Sequence, residues 1–432
     1  MKLAIYPLSF RTAILASLSA ALLPVAAIAG SASFPSDGGI AAKIQPFVDN
    51  NVIPGAVIMV ANKDKILDLE TVGYSDFDKK TPMDADGLFM ICSMTKTFTA
   101  VGLMMLVDEG KVNLDDPVEK YLPAFKGQMV VDITDPTAHP HPPQHPITVR
   151  EVMSHMAGLH HGPRRENPTT VVADASEIGK LPLDWEPGSK YMYSEGPLVG
   201  GAIIEVASGI SYPEFIKERI LDPLGMKDST FWPSAEQAPR LPITAKYNPD
   251  TKKLEDIHHN PDVVSDPAKC GPVPPRVLSQ CNMGVIAHYK NHFARPDADL
   301  FATTVDMSKF AQMLLNGGTY QGKEYITPAS LKEIATIQTK DHFPGNTEGY
   351  GLGTFIQKNP SEDGPSPGSF GHRGARKTVF WVDPADGLVL IFMTQAWDLK
   401  HEDQKALNTA FFKTAIEKYG KSSGAQASAA SH

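Results

Sequence analysis

The stretch from Leu88 to Glu109 is apolar on nearly every helical face, with Met94, Phe98, Val101, Leu103, Met104, Met105 and Leu106 spread round the axis before Gly110. A helix that is apolar all round is buried inside a domain. This one also carries Lys96 near its start, and a buried amine needs a partner. The chain must therefore wrap a full shell of structure round one helix and furnish that shell with polar groups at one end. Its 432 residues suffice for roughly two or three cores. A hydrophobic share of 42% and a charged share of 21% exclude a disordered chain, a collagen-like fibre and a multi-span membrane protein. With 40 Lys and Arg against 49 Asp and Glu, and no long basic run, nucleic acid is excluded as the main partner. The 36 prolines point to long ordered loops, chiefly 135–146 and 266–275.

The first residues read as an address and not as fold. Lys2 and Arg11 precede an apolar run from Ala13 to Ala29, broken by Pro24 and ending in Ala27-Ile28-Ala29. That is a positive region, a short apolar region and a small-x-small cleavage site. The expectation is a signal peptide over residues 1–29, cut near Gly30, and an exported protein, periplasmic or secreted. No later stretch approaches membrane-span length, so no stable membrane insertion is expected. Three cysteines are too few for a disulfide scaffold. Cys92 reads as a small core residue. Cys270 and Cys281 bracket a proline-rich segment, and whether they pair is left open by the sequence.

Periodicity predicts an opening helix over 38–49, then a hairpin of 56–61 and 66–72 joined by Asn62-Lys63-Asp64-Lys65. Helical patterns recur at 198–207, 212–221 and 306–315. Strands follow at 378–382 and 388–394, and an amphipathic helix at 402–419 presents Ala406, Leu407, Phe411, Phe412 and Ile416. Residues 420–432 read as a frayed tail. Strands at both ends and helices between them predict an α/β domain spanning 30–419. Its sheet part covers about 38–96 and 340–419, with a mainly helical insert over about 97–330.

Several kinds of catalytic apparatus are missing. There is no G-x-S-x-G elbow, no H-E-x-x-H and no phosphate-binding glycine loop; Gly351-Leu352-Gly353 lacks a third glycine. What is present is Ser93-Met94-Thr95-Lys96 at the head of the buried helix. Positions i and i+3 share a helix face, about 5–6 Å apart at Cβ. Lys96 then stands beside Ser93, and the helix N-terminus offers the Ser93 N–H to a developing oxyanion. A serine nucleophile, an adjacent amine and a donor are the parts of acyl transfer.

The surrounding residues carry a resemblance. Phe89 to Ala100 around Ser93-x-x-Lys96 resembles the nucleophile segment of the β-lactamase-fold serine hydrolases, which include class C β-lactamases, DD-peptidases, D-aminopeptidases and family VIII carboxylesterases. Leu106 to Val118, Ile147 to Arg150 with Ser154-His155-Met156-Ala157-Gly158-Leu159, and Trp185-Glu186-Pro187-Gly188 leading to Tyr191-Met192-Tyr193-Ser194-Glu195 follow in that family's order. So do Phe301 to Met307, Tyr350 to Gly353, Gly371-His372-Arg373-Gly374, Phe380 to Pro384 and Phe392 to Gln395. The resemblance spans about 40–415. It implies an antiparallel sheet flanked by helices and built from both termini, with an inserted helical domain.

It also implies roles. Ser93 would form an acyl-enzyme, Lys96 would hold or relay its proton, and Tyr193 would be the second general base; Tyr191 would pack or wall the substrate. His372, Arg373 and Gly374 would line the strand beside the site, and the Ala375 N–H would complete the oxyanion hole with that of Ser93. Gly374 would leave room for substrate. Glu195 stands where β-lactamases and DD-peptidases carry asparagine, and His372-Arg373-Gly374 where β-lactamases carry Lys-Thr-Gly. Glu195 would touch substrate or pair with Lys96 or another lysine. No cofactor is implied.

Two clusters remain. Strand alternation puts Arg373 and Lys377 on one face, with Arg376 between them. Either one of the three binds a substrate carboxylate, or they form a solvated strand edge. Six histidines (His139, His141, His145, His155, His160 and His161) lie in or near the proline-rich loop 135–146, without the acidic or cysteine partners of a closed metal site. No metal is expected, and His155 falls where the family has a structural histidine. The expectation is an exported serine hydrolase acting on a small-molecule or short-peptide substrate. A carboxylesterase leads, ahead of a peptidase or amidase for acidic peptides, a β-lactamase, or a penicillin-binding sensor with poor turnover. The oligomeric state is left open.

Overall fold

A computed structural model describes residues 39–134, 137, 139–160, 170–256, 293–362 and 364–421. The leader 1–29, Cys270 and Cys281, the loop 266–275, His161 and the tail from 422 lie outside the described residues.

The frame is an eight-stranded antiparallel sheet. Its order is Glu348–Tyr350, Phe355–Gln357, Phe370–Arg373, Val379–Asp383, Leu388–Thr394, Gly55–Asn62, Ile66–Asp76, Thr81–Pro82. The two ends of the chain meet at its centre, where Ala56 pairs with Thr394 and the register runs to Asn62 opposite Leu388. Both faces are covered, so Gly55–Asn62 reads as an unbroken apolar run. Alternation still sorts it. Ala56, Ile58 and Val60 join Leu390, Phe392, Phe411 and Phe412 under the helices Ile40–Asp49 and His401–Tyr419. Val57, Met59 and Ala61 face the larger core, which contains Phe98 and Phe310. In the last helix Leu407, Phe411, Phe412 and Ala415 are buried, while Ala406 is exposed.

The helix Thr95–Asp108 is the axis of that larger core, buried from Thr95 through Leu106. The predicted helix from Leu88 is corrected at its start. Leu88–Met90 is a strand paired with Phe301–Thr303, and Cys92–Met94 is one 3-10 turn. A short run buried on all sides has no period to separate strand from helix. The helices Gly196–Ser208 and Thr304–Leu315 pack round this axis, and Phe98 stacks on Phe310 with ring centroids 3.8 Å apart. Gly353 clamps the first turn. At φ +64°, its missing side chain lets its backbone lie against Lys96, where a Cβ would stand 2.6 Å from the Lys96 carbonyl. Thr97 Oγ1 donates to the Gly353 carbonyl at 2.9 Å. That is the use of the Gly351-Leu352-Gly353 triplet. Among the described residues no helix is long and apolar enough to cross a membrane.

Candidate active site

Ser93 sits in the 3-10 turn that joins the sheet layer to the buried helix. The turn is set by Cys92, whose φ of +48° is a left-handed conformation unusual for a side-chain-bearing residue. Thr95 Oγ1 holds it by donating to the Cys92 carbonyl at 2.7 Å while accepting from Leu300 N–H at 3.2 Å. Cys92 is the core residue the sequence suggested, and burial pushes its thiol up against the opposing pull of Arg376.

One turn on, Lys96 is 2% exposed. Its Nζ lies 3.2 Å from Ser93 Oγ and donates to the Asp297 carbonyl at 2.7 Å. The Asp297 carboxylate is 4.0 Å away, and the Tyr193 ring centroid 4.9 Å away. The i, i+3 expectation and the tyrosine expectation therefore meet at one amine. Tyr193 packs over the His155 ring at 4.4 Å and lies parallel to Phe355 at 6.4 Å. Tyr191 belongs to the wall instead, 4.8 Å from Phe343, and its burial drives the phenol well above its usual range.

Arg295 and Asp297 were not picked out in the sequence. Arg295 is 5% exposed and grips Asp297 through Nε and Nη2, both at 3.1 Å. The same Nη2 reaches Glu195 at 3.3 Å, and Nη1 lies 3.7 Å from Asp174. Desolvation works against this guanidinium, but Asp297, Asp299 and Glu195 outweigh it and hold it charged. Glu195, expected on substrate or a lysine, is thus tied to an arginine. The available signal was Arg295-Pro296-Asp297-Ala298-Asp299, three charges packed into five residues just before Phe301.

The strand Phe370–Arg373 brings in the last elements. The expectation that Arg373 and Lys377 share a strand face is corrected: the strand ends at Arg373, and Gly374 to Lys377 is a tight turn. In it Gly374 N–H donates to Thr378 O at 2.7 Å, Lys377 N–H donates to Gly374 O at 2.9 Å, and Lys377 has φ +67°. Arg376 is also corrected. It is buried, and its Nη1 donates to Gln395 Oε1 at 3.0 Å on the side away from solvent. Arg373 pairs with Glu348 and lies over the Phe355 ring at 4.3 Å.

Gly374 is also required by packing. A Cβ there would stand 2.2 Å from Thr378 Oγ1 and 2.5 Å from the Ile91 carbonyl. The strand end is pressed against the turn that carries Ser93, with exposed Ala375 next in line. Gly374→Ala is therefore expected to cost about 1–3 kcal/mol, as overpacking against backbone does, and to lower hydrolysis as well. Urea unfolding and an ester assay check it.

His372 and His155 are both buried, 0% and 1% exposed. Burial, reinforced by the charge of Lys96, holds both imidazoles well below the usual histidine range. Outside the site the histidines in and near the proline-rich loop do have acidic partners, taken one at a time. His141 lies 3.5 Å from Glu186, His145 3.5 Å from Glu151, and His160 2.6 Å from Asp184. Among the described residues no group of three His, Cys, Asp or Glu is placed to hold a metal ion.

A fold with a Ser-x-x-Lys pair at the head of a buried helix, facing an antiparallel sheet, defines a class of serine hydrolases. The Beta-lactamase family model matches residues 40–411, and the chain belongs to that family of serine hydrolases. Rv1367c of Mycobacterium tuberculosis is 28% identical over 83% of this chain and 89% of its own length. An Escherichia coli protein with the provisional name D-alanyl-D-alanine carboxypeptidase is 25% identical, covering 71% of this chain and 68% of that one. Among solved structures, EstCE1, a hydrolase with promiscuous acyltransferase activity, superposes with TM-score 0.70 at 19% identity, covering 86% of this chain and 97% of the other. Simvastatin synthase (LovD) of Aspergillus terreus does so with TM-score 0.69 at 18% identity, over 88% and 98%. These two likenesses concern the fold.

Proposed function

We propose that the chain hydrolyses a carboxylic ester through an acyl-enzyme on Ser93. The observation that carries this is the 3.2 Å approach of the buried Lys96 amine to Ser93 Oγ. In its neutral form Lys96 takes the hydroxyl proton as Oγ bonds to the ester carbonyl carbon. The negative oxygen is met by the N–H groups of Ser93 and Ala375. Tyr193, lying over the same amine, passes a proton to the departing alkoxide as the C–O bond breaks. Water then enters by the reverse path and releases the acid. His372, Arg373 and Gly374 form the strand wall.

A neutral ester suits this wall better than an acidic peptide. Arg373 has its charge matched by Glu348, Arg376 is turned inward, and Tyr191, Phe343 and Phe355 offer aromatic surface. The rival reading is a carboxypeptidase. It is supported by the name of the Escherichia coli relative and by Arg373, whose side chain is 40% exposed. We also propose export, on the strength of the leader over residues 1–29.

Intact-mass spectrometry after a fluorophosphonate is expected to show one adduct, absent from Ser93→Ala; labelling of that variant would sink the assignment. A p-nitrophenyl ester, a D-amino-acid anilide and a chromogenic cephalosporin assayed side by side then rank the substrates. Continuous release from the ester supports the esterase. Faster release from the anilide supports the peptidase, and from the cephalosporin a β-lactamase. A single burst marks a sensor.

A further inference from the structure

Tyr350 lies between the two buried imidazoles of the site. Its Oη is 3.3 Å from His155 Nε2 and 3.0 Å from His372 Nε2, and its own exposure is 0%. At the far side of His155, Nδ1 accepts the Ser194 N–H at 3.0 Å, with Ser194 Oγ at 3.4 Å. At the far side of His372, Nδ1 has two contacts that call for opposite tautomers: it can accept the Arg373 N–H at 3.0 Å or donate to the Arg373 carbonyl at 2.8 Å.

Proton counting at Tyr350 chooses between these two contacts. A neutral imidazole has one N–H, and burial keeps both of these neutral. Because His155 Nδ1 accepts from Ser194 N–H, its proton is on Nε2 and is given to Tyr350 Oη. Tyr350 must then give its own proton to His372 Nε2. That puts the His372 proton on Nδ1, directed at the Arg373 carbonyl at 2.8 Å, in place of the contact in which this nitrogen accepts the Arg373 N–H. Were His372 protonated on Nε2 instead, Tyr350 would receive two protons and have neither ring nitrogen for its own.

We propose that Tyr350 is a positioning residue, joining His155 and His372 into one oriented hydrogen-bond chain from the Tyr193–Ser194 peptide to the Arg373–Gly374 peptide. It rests on the reading of Tyr193 and of the Gly374-Ala375 strand end as reacting apparatus. One end fixes Tyr193 twice, by its following N–H and by the His155 ring 4.4 Å from its own. The other end fixes the peptide before Ala375. Its carbonyl accepts from His372, and its Gly374 N–H is held by Thr378 O at 2.7 Å. The next peptide, which carries the Ala375 N–H, is held at its carbonyl, Gly374 O, by the Lys377 N–H at 2.9 Å. The two sides of the site are thereby set relative to each other by a hydroxyl that touches no reacting atom.

The test is histidine side-chain 15N NMR on the wild-type protein, with resonances assigned by His155→Gln and His372→Gln. Across about pH 5–8, where exposed histidines titrate, the two rings are expected to stay neutral and to carry opposite tautomers. His155 should be protonated on Nε2 and His372 on Nδ1. In Tyr350→Phe, which keeps the ring and loses only the hydroxyl, the His372 pattern is expected to change. With it, kcat for the ester should fall about 10- to 100-fold, the scale of a buried hydrogen bond left unmade. KM is expected to stay within about twofold, since no substrate contact is removed. The same tautomer on both rings, unchanged kcat, or a loss of kcat with both ring patterns intact would overturn the proposal. The wild-type tautomers decide it even if the variant does not fold. They are read without substrate, so an error in the esterase assignment does not alter them.

Discussion

Lys96→Met is expected to lower kcat for a p-nitrophenyl ester by about 10³-fold, within the range that a positioned general base contributes. The amine is the single basic nitrogen at hydrogen-bond distance from Ser93 Oγ among the described residues, at 3.2 Å. The fold should survive. Methionine has nearly the length of lysine, and the acid nearest the amine, the Asp297 carboxylate at 4.0 Å, is not left without a cation. What is lost is the donor to the Asp297 carbonyl, while Asp297 keeps Arg295 on its carboxylate. The unfolding free energy measured in urea is therefore expected to change by no more than about 1–2 kcal/mol. Lys96→Arg separates charge from basicity. A guanidinium keeps the positive charge but cannot take up the serine proton. It should be as inactive as methionine, and the rate of fluorophosphonate labelling at Ser93 should fall in step for both. An active Lys96→Arg would mean that the site needs only a cation, which would remove Lys96 from the role of base.

What could be read from the sequence is what local spacing determines. The hairpin from Gly55, the strands ending at Thr394 and the last helix all show their period because each has two distinct faces or a turn at a fixed place. Ser93 and Lys96 could be paired because three residues of helix join them. Tyr193 is a hundred residues away and came only from the resemblance. Arg295 and Asp297 had only a local density of charge to mark them. They reach Lys96 because the Arg295–Asp299 loop precedes a strand that pairs with Leu88–Met90, a contact between residues some two hundred positions apart. The cationic strand failed for a physical reason. Alternation holds only while the backbone stays extended, and Gly374 ends it by turning the chain towards Thr378. Three neighbouring cations then go three ways: onto Glu348, into the core, and into a turn. Tyr350 stands in one of the motifs, but its use depends on two histidines, one 195 positions before it and one 22 after.

Arg295→Met is expected to be the most destabilising single change at the site, by about 3–5 kcal/mol, as when one partner of a buried ion pair is removed. The guanidinium lies among the carboxylates of Asp297, Glu195 and Asp174, while the Arg295 backbone N–H donates to Asp299 at 3.1 Å. A methionine leaves those acids close together with no cation between them in a region of low polarity. Such acids bind protons more readily in the folded chain than in the unfolded one. A folded pKa raised above the unfolded value means that lowering the pH favours the native state. The deficit of the variant against wild type should therefore shrink as the pH falls from about 7 to 5, towards the titration range of carboxylates. Urea unfolding at the two pH values measures this. A deficit that stayed constant with pH would show that Arg295 matters for packing and not for its charge. Activity should fall together with stability, because Asp297 is the residue on which Lys96 rests. Arg295→Lys restores a charge but not the two-pronged grip on Asp297, so it should recover stability before it recovers kcat.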